Sequence, residues 1–319
     1  MPLGDTKSST VDRRRFVQAT LIPISVPITA RLIHSTALGA ESSQGAAPVE
    51  NPPSITDTNV HLFDWPFRKL KHAQTSSLIA RLQKHRIEKA WAGSFDAVLN
   101  KQLDRSNQRL SEECAKHGHG MLVPFGSVNP AWPDWEEDLR RCHEKYKMPG
   151  VRLYPAYHGY ALDHPELANL LVVATQRKMI VQIALRMEDE RVHHVALNIP
   201  PINLAPLSSR LKAIPQARVQ LINSAGPLIG DSLGELVRDT NVAFDIAATE
   251  GNGGVGRLIA GSNPSYRGAI PSQRLLFGSH APFFPCQSAV MKLFESPLSL
   301  EQLKQIMYGN ARQFLGSNQ

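Results

Sequence analysis

Ile55-Thr56-Asp57-Thr58-Asn59-Val60-His61-Leu62 is the stretch on which the fold turns. Four of its eight residues are β-branched, which favours a pleated strand. Its polar residues Asp57, Asn59 and His61 recur with period two, so a regular strand presents them on one face. Seven more β-rich runs follow, at 89–95, 121–128, 150–157, 179–185, 217–223, 241–247 and 274–280. Helical patterns lie between them at 103–117, 133–146, 165–177, 228–238, 253–260 and 287–295, and Pro165 stands at a first-turn position. Strands alternating with helices give right-handed βαβ units and a parallel sheet. Eight such units over about 260 residues match an α/β fold, a single-domain (β/α)8 (TIM) barrel. The alternative, a doubly wound open sheet, calls for a glycine-rich phosphate turn after the first strand. Residues 57–64 contain no glycine.

Residues 1–40 read as an address rather than as part of the barrel. Arg13-Arg14-Arg15-Phe16 precedes a short apolar stretch from Ala19 to Ala30 and small residues at 37–40, the pattern of a twin-arginine-type export signal. Twelve moderately apolar residues with two prolines are too few to span ~30 Å of hydrocarbon. The expectation is therefore a periplasmic or extracytoplasmic protein with no membrane segment in its mature form. Residues 41–54 read as a flexible linker and 55–316 as the barrel. The leader carries a net +3 of the chain's +7, leaving only +4 on the rest. With no basic run interleaved with aromatics, a nucleic-acid partner is excluded. Three cysteines without a C-x-x-C pair argue against a disulfide framework and for buried thiols.

Beyond the first strand, Phe125-Gly126-Ser127-Val128-Asn129-Pro130, Gly150-Val151-Arg152-Leu153-Tyr154-Pro155 and Phe277-Gly278-Ser279-His280-Ala281-Pro282-Phe283 stand at sensible spacing, with Gly309-Asn310-Ala311-Arg312 near the end. Over roughly residues 54 to 315 the chain resembles the amidohydrolase-related superfamily of barrel hydrolases and decarboxylases. The resemblance implies a divalent cation held by two histidines on strand one, histidines ending strands five and six, and an aspartate ending strand eight. Here Asn59 replaces the first histidine and His61 keeps the second. The strand-five position falls at Gln182 or Ala184, the strand-six position at Asn223, and His280 replaces the aspartate. Amide oxygens are weak neutral ligands, so the reading taken is a pocket without metal or other cofactor. A zinc site remodelled around His61 and His280 is the less favoured alternative. A carboxylate of the charged loop 188–190 swinging into the mouth would rebuild one.

Barrel sites gather at the carboxyl ends of the strands. His61 and His280 are the candidate acid–base pair. Asn59, Arg152, Tyr154, Gln182, Arg186, Asn223 and Asp245 are the candidate substrate-binding residues, with Arg152 and Arg186 as a clamp. Such a mouth is polar and positive and suits a small anionic molecule, since guanidinium offers a bidentate fork to a carboxylate. Two functions stay open: a hydrolase or lyase on a small carboxylate or lactone, and a catalytically inactive pseudoenzyme that binds a small molecule. A homo-oligomer is neither required nor excluded. His193-His194 reads as surface helix. The glycines at 251–256 read as a turn or lid, because they follow strand seven without a phosphate-binding lysine.

Overall fold

The computed structural model describes residues 54–224, 231–262 and 268–316. The expected export signal and nearly all of the expected linker therefore lie outside the described residues. Eight strands, β1 (Ile55–Leu62), β2 (Ile87–Ser94), β3 (Leu122–Gly126), β4 (Gly150–Leu153), β5 (Ile180–Ala184), β6 (Arg218–Ile222), β7 (Ala243–Asp245) and β8 (Leu275–Leu276), pair in parallel in chain order. Backbone bonds close the ring: Thr58 N–H to Phe277 O at 2.8 Å, His280 N–H to Asn59 O at 2.8 Å and His61 N–H to Ala281 O at 2.9 Å. A sheet closed on itself has no open edge to cover. Helices bury one apolar stripe each against it; Leu103–His117, for example, turns Leu103, Leu110 and Cys114 inward.

Several predicted boundaries move, each for a physical reason. The fourth run stops at Leu153 because Pro155, which has no N–H to donate, opens the helical turn Pro155–His158. The eighth run keeps only Leu275–Leu276 as ladder, and Gly278 lies so close to Asp245 that a Cβ would stand 2.8 Å from its side chain. The helix expected over 133–146 is an α-helix, Trp135–Arg140, continued by a wider π-turn, Arg141–Lys145. Helices Thr75–Lys84 and Ala205–Ala213 fill gaps left unassigned from sequence, although Leu78, Ile79 and Leu82 form a buried stripe at helical spacing. His193 and His194 follow a short 3-10 turn rather than lying on a helix. All three cysteines are buried free thiols. No described helix is long and apolar enough to cross a membrane.

The pairing register of β1 with β2 shifts between Asp57 and Val60. This bulge breaks the period-two face expected of Asp57, Asn59 and His61. The Asp57 carboxylate instead accepts from the backbone N–H groups of Asn59 and Ser279, both at 3.0 Å. Thr58 joins the interior polar groups in its place.

Gly150 begins β4 where a Cβ would stand 2.4 Å from Phe125 Cε1 and 2.5 Å from the backbone oxygen of Ile180. Gly150→Ala is expected to cost ~1–3 kcal/mol through overpacking. A urea titration should show a lower midpoint at unchanged slope.

Candidate functional site

The barrel interior carries a continuous polar layer. Strand register sets Arg152 beside Gln182 and Gln182 beside Gln220. The Arg152 guanidinium is fully buried, and all five of its N–H groups find acceptors. Nε donates to Gln182 Oε1 at 2.9 Å. Nη1 donates to Val60 O at 3.0 Å and His61 Nε2 at 2.9 Å. Nη2 donates to Trp91 O at 3.2 Å and Thr58 O at 3.4 Å. Gln182 Nε2 donates to Thr58 O and Gln220 Oε1, both at 2.7 Å, and Gln220 Nε2 donates to Thr58 Oγ1 at 2.7 Å. Gly93 makes the room, since a Cβ there would lie 2.6 Å from Arg152 Nη1.

Nearer the carboxyl ends of the strands lies a second network. Asn59 Nδ2 donates to Asn223 Oδ1 at 2.8 Å and Asp245 Oδ2 at 2.6 Å. Asn223 donates its backbone N–H to Asp245 Oδ1 at 3.0 Å and its Nδ2 to Arg186 O at 2.8 Å. His280 Nε2 lies 2.8 Å from Met187 O and its Nδ1 lies 3.3 Å from Asn223 Nδ2. A carbonyl only accepts and an amide nitrogen only donates. The ring proton is therefore assigned to Nε2, and both nitrogens are engaged. Asn223 and His280 both take the left-handed backbone, with φ of 56° and 57°, which these bonds help to hold.

Aromatic rings that follow β1, β2, β4 and β8 pack over part of the mouth. His61 stacks on Phe95 at 4.8 Å, Phe95 meets Phe283 at 5.0 Å, and Trp65 contacts Phe95 at 5.6 Å and Phe283 at 5.2 Å. Tyr154 lies against His61 at 6.4 Å with its hydroxyl buried beside Arg152. The open space lies instead beside β5 to β8, in a cavity of about 340 Å³ walled by Arg186, Glu188, Asn223, Thr249, His280 and Lys292. Thus Arg186, Asn223 and His280 reach the cavity. Asn59 and Asp245 stand directly behind its wall, and His61, Arg152, Tyr154 and Gln182 do not line it. The two arginines expected to form one clamp are separated, Arg152 in the interior and Arg186 at the mouth.

Burial sets the protonation of these groups. Asp57 is pushed up to about 7 and Asp245 to about 6, in each case chiefly by desolvation, opposed by the hydrogen bonds each accepts. His280 falls to about 3 and His61 well below its usual range, again through burial, with Arg152 adding repulsion. Both imidazoles are therefore neutral at pH 7. A general acid–base is best matched when its pKa lies near the working pH.

Gln220, Thr58 and Lys292 are neighbours of the site that the sequence analysis passed over, and Glu188 entered it only as part of a loop that could swing a carboxylate into the mouth. Gln220 had a signal: a lone amide between Val219 and Leu221, opposite Gln182 in register. Glu188 belongs to a charged loop that reads as solvated, yet it is buried, accepting from Trp65 Nε1 at 3.2 Å and pairing with Arg68 at 3.1 Å. The divalent cation implied by the resemblance does not fit these donors. His61 Nε2 faces a guanidinium, His280 Nε2 is turned to a carbonyl, Gln182 is spent in the layer below, and Asn59 turns its nitrogen to the carboxylate. Among the described residues no three His, Cys, Asp or Glu side chains group to hold a metal.

Between the unfolded pKa near 3.9 and about 7, folded Asp57 retains a proton that the unfolded chain has lost, so its contribution to stability is lost as pH rises through that window. Asp57→Asn keeps the oxygen that accepts the two backbone bonds and removes this titration. Relative to wild type, the variant should gain about 2 kcal/mol between pH 5 and pH 8. Denaturant unfolding of both proteins at the two pH values measures it; a pH-independent difference would refute the assignment.

An amidohydrolase family model matches residues 57–317. No curated protein matches the chain in sequence. Among solved structures, apo IDCase of Metarhizium anisopliae aligns at 17% identity and TM-score 0.61, covering 83% of this chain and 97% of that one. A 5-carboxyvanillate decarboxylase of Sphingomonas paucimobilis aligns at 10% identity and TM-score 0.62, covering 82% and 98%. A dihydroxybenzoic acid decarboxylase of a Polaromonas species, solved with manganese and an inhibitor, aligns at 16% identity and TM-score 0.60, covering 83% and 98%. At such identities these likenesses speak for the fold alone. The family match, by contrast, spans the barrel from β1 to the C-terminal helix, and the chain belongs to the amidohydrolase family.

Proposed function

We propose that this chain binds a small carboxylate-bearing molecule at the mouth of its barrel, beside β5 to β8, without a divalent cation. The observation that carries the reading is the cavity wall itself. Arg186 and Lys292 line it as cations beside the carboxylates Glu188, Asp189 and Glu250; Glu188 and Asp189 are paired with Arg68 and Arg191, whereas Arg186 forms no ion pair among the described residues. Asn223 and Thr249 add polar groups, and the Thr249 hydroxyl is buried without a partner. Such a wall offers charge-assisted hydrogen bonds to an anion and a pocket of about 340 Å³ for a small body. His280 contributes a neutral ring fixed by two protein contacts and acts as wall. Neighbouring folds include decarboxylases of aromatic carboxylates, which makes aromatic acids the first class to try.

A second reading, metal-free lyase or hydrolase action on the same class or on a lactone, is favoured by one observation. The Asp245 carboxyl, raised to about 6, stands one hydrogen bond behind Asn223 in the cavity wall, and a carboxyl with that pKa exchanges protons near neutrality.

Isothermal titration with 2,6-dihydroxybenzoate and with its primary amide tests the binding. Saturable heat for the acid alone is expected, weakened about tenfold, ~1.4 kcal/mol, in Arg186→Gln. Equal binding of acid and amide, or indifference to Arg186→Gln, would overturn it. Carbon dioxide release or lactone opening that survives chelator and is lost in Asp245→Asn would establish the second reading.

A further inference from the structure

On the other side of the segment 283–285 from the mouth cavity lies a second pocket, of about 240 Å³. Phe284 and Pro285 belong to the walls of both. Its cations are Arg68, Lys69, Lys71 and Arg81, and no Asp or Glu lines it. Among the described residues Lys69, Lys71 and Arg81 form no ion pair, and Arg68 has one, through Nε to Glu188. Apart from His72 and Gln287 the rest of the wall is apolar, with Leu70, Leu78, Pro282 and Phe283 prominent. The Arg68 guanidinium lies 5.0 Å above the Phe283 ring, which orients it by cation–π attraction.

Four like charges gathered around one apolar concavity repel one another, and no carboxylate in the wall relieves that repulsion. An anion does so. Salt screens exposed charges beyond ~8–10 Å but protects little within a pocket of this size. The leucine, proline and phenylalanine surface adds a preference for a ligand with a flat or compact apolar body. We infer that this pocket, between the loop following β1 and the segment following β8, is a second ligand site that takes an amphiphilic anion, an aryl or acyl carboxylate or phosphate. The Arg68–Glu188 pair joins it to the mouth, because Glu188 also walls the mouth cavity. An anion that draws Arg68 away leaves Glu188 unpaired in that wall, so the two sites oppose each other for anions. By linkage the opposition is reciprocal.

The coupling rests on the proposed mouth function, whereas occupancy of the second pocket does not. The test is calorimetric titration of the full chain with 1-naphthoate, 1-naphthamide and inorganic phosphate at 0.15 M salt, using wild type, Lys69→Gln/Lys71→Gln and Arg186→Gln. The expected result is 1-naphthoate binding that is weakened at least tenfold by the lysine pair and retained in Arg186→Gln, with 1-naphthamide and phosphate each at least tenfold weaker. Unchanged binding in the lysine variant would overturn the site. Equal binding of the amide would show a mere apolar crevice, and equal binding of phosphate a mere basic patch; either would overturn the ligand class. Loss in Arg186→Gln alone would place naphthoate in the mouth, supporting that function while overturning this one. Both lysines are exposed, so Lys69→Gln/Lys71→Gln should fold, and its circular dichroism and melting temperature should match wild type.

Discussion

A guanidinium buried in the interior of a barrel is the constraint around which the rest of this molecule is arranged. Transfer of a charge from water to a protein interior costs several kcal/mol unless every donor is met. Arg152 meets that condition with three backbone carbonyls from β1 and β2, one amide and one imidazole. Those acceptors are available because β1 bulges between Asp57 and Val60 and because Gly93 has no side chain. Gln182, Gln220 and Thr58 complete the layer, each bonding the next. Such a network is worth having only when complete, since one missing partner leaves a buried polar group unsatisfied.

The same guanidinium decides what the neighbouring histidine can do. It donates to His61 and repels a second positive charge, so the ring is neutral and turned from proton transfer and from a metal ion alike. Asn59, Asn223 and Asp245 then bond among themselves, and the space beside His61 closes under Trp65, Phe95 and Phe283. The barrel frame persists, and its opening lies on the side of β5 to β8. There Arg186 and Lys292 supply positive charge, with Lys292 held by its bond to Ala247 O.

Glu188 links this mouth to the basic pocket beneath the 283–285 segment. It is buried, receives the Trp65 indole and pairs with Arg68. A carboxylate so placed fixes the loop after β5 to the loop after β1. Both pockets thus share an electrostatic wall as well as Phe284 and Pro285.

Local chemistry alone was enough to establish the order of the strands, most of the helices and the closure expected of eight units, while the replacement of ligand residues by Asn59, Asn223 and His280 was read from the family resemblance. Periodicity and residue type are properties of neighbours in the chain, and the family's barrel follows from them. The roles of those residues were not legible. A one-residue register shift in β1 re-aimed Asp57 and Thr58, and a period-two argument has no means of detecting a bulge. Gln220 and Lys292 became site residues only when strands and loops far apart in sequence were brought within hydrogen-bond reach. Which arginine is structure and which faces a ligand depended on the interior of a closed barrel, where burial and partners set charge, and that is decided in three dimensions.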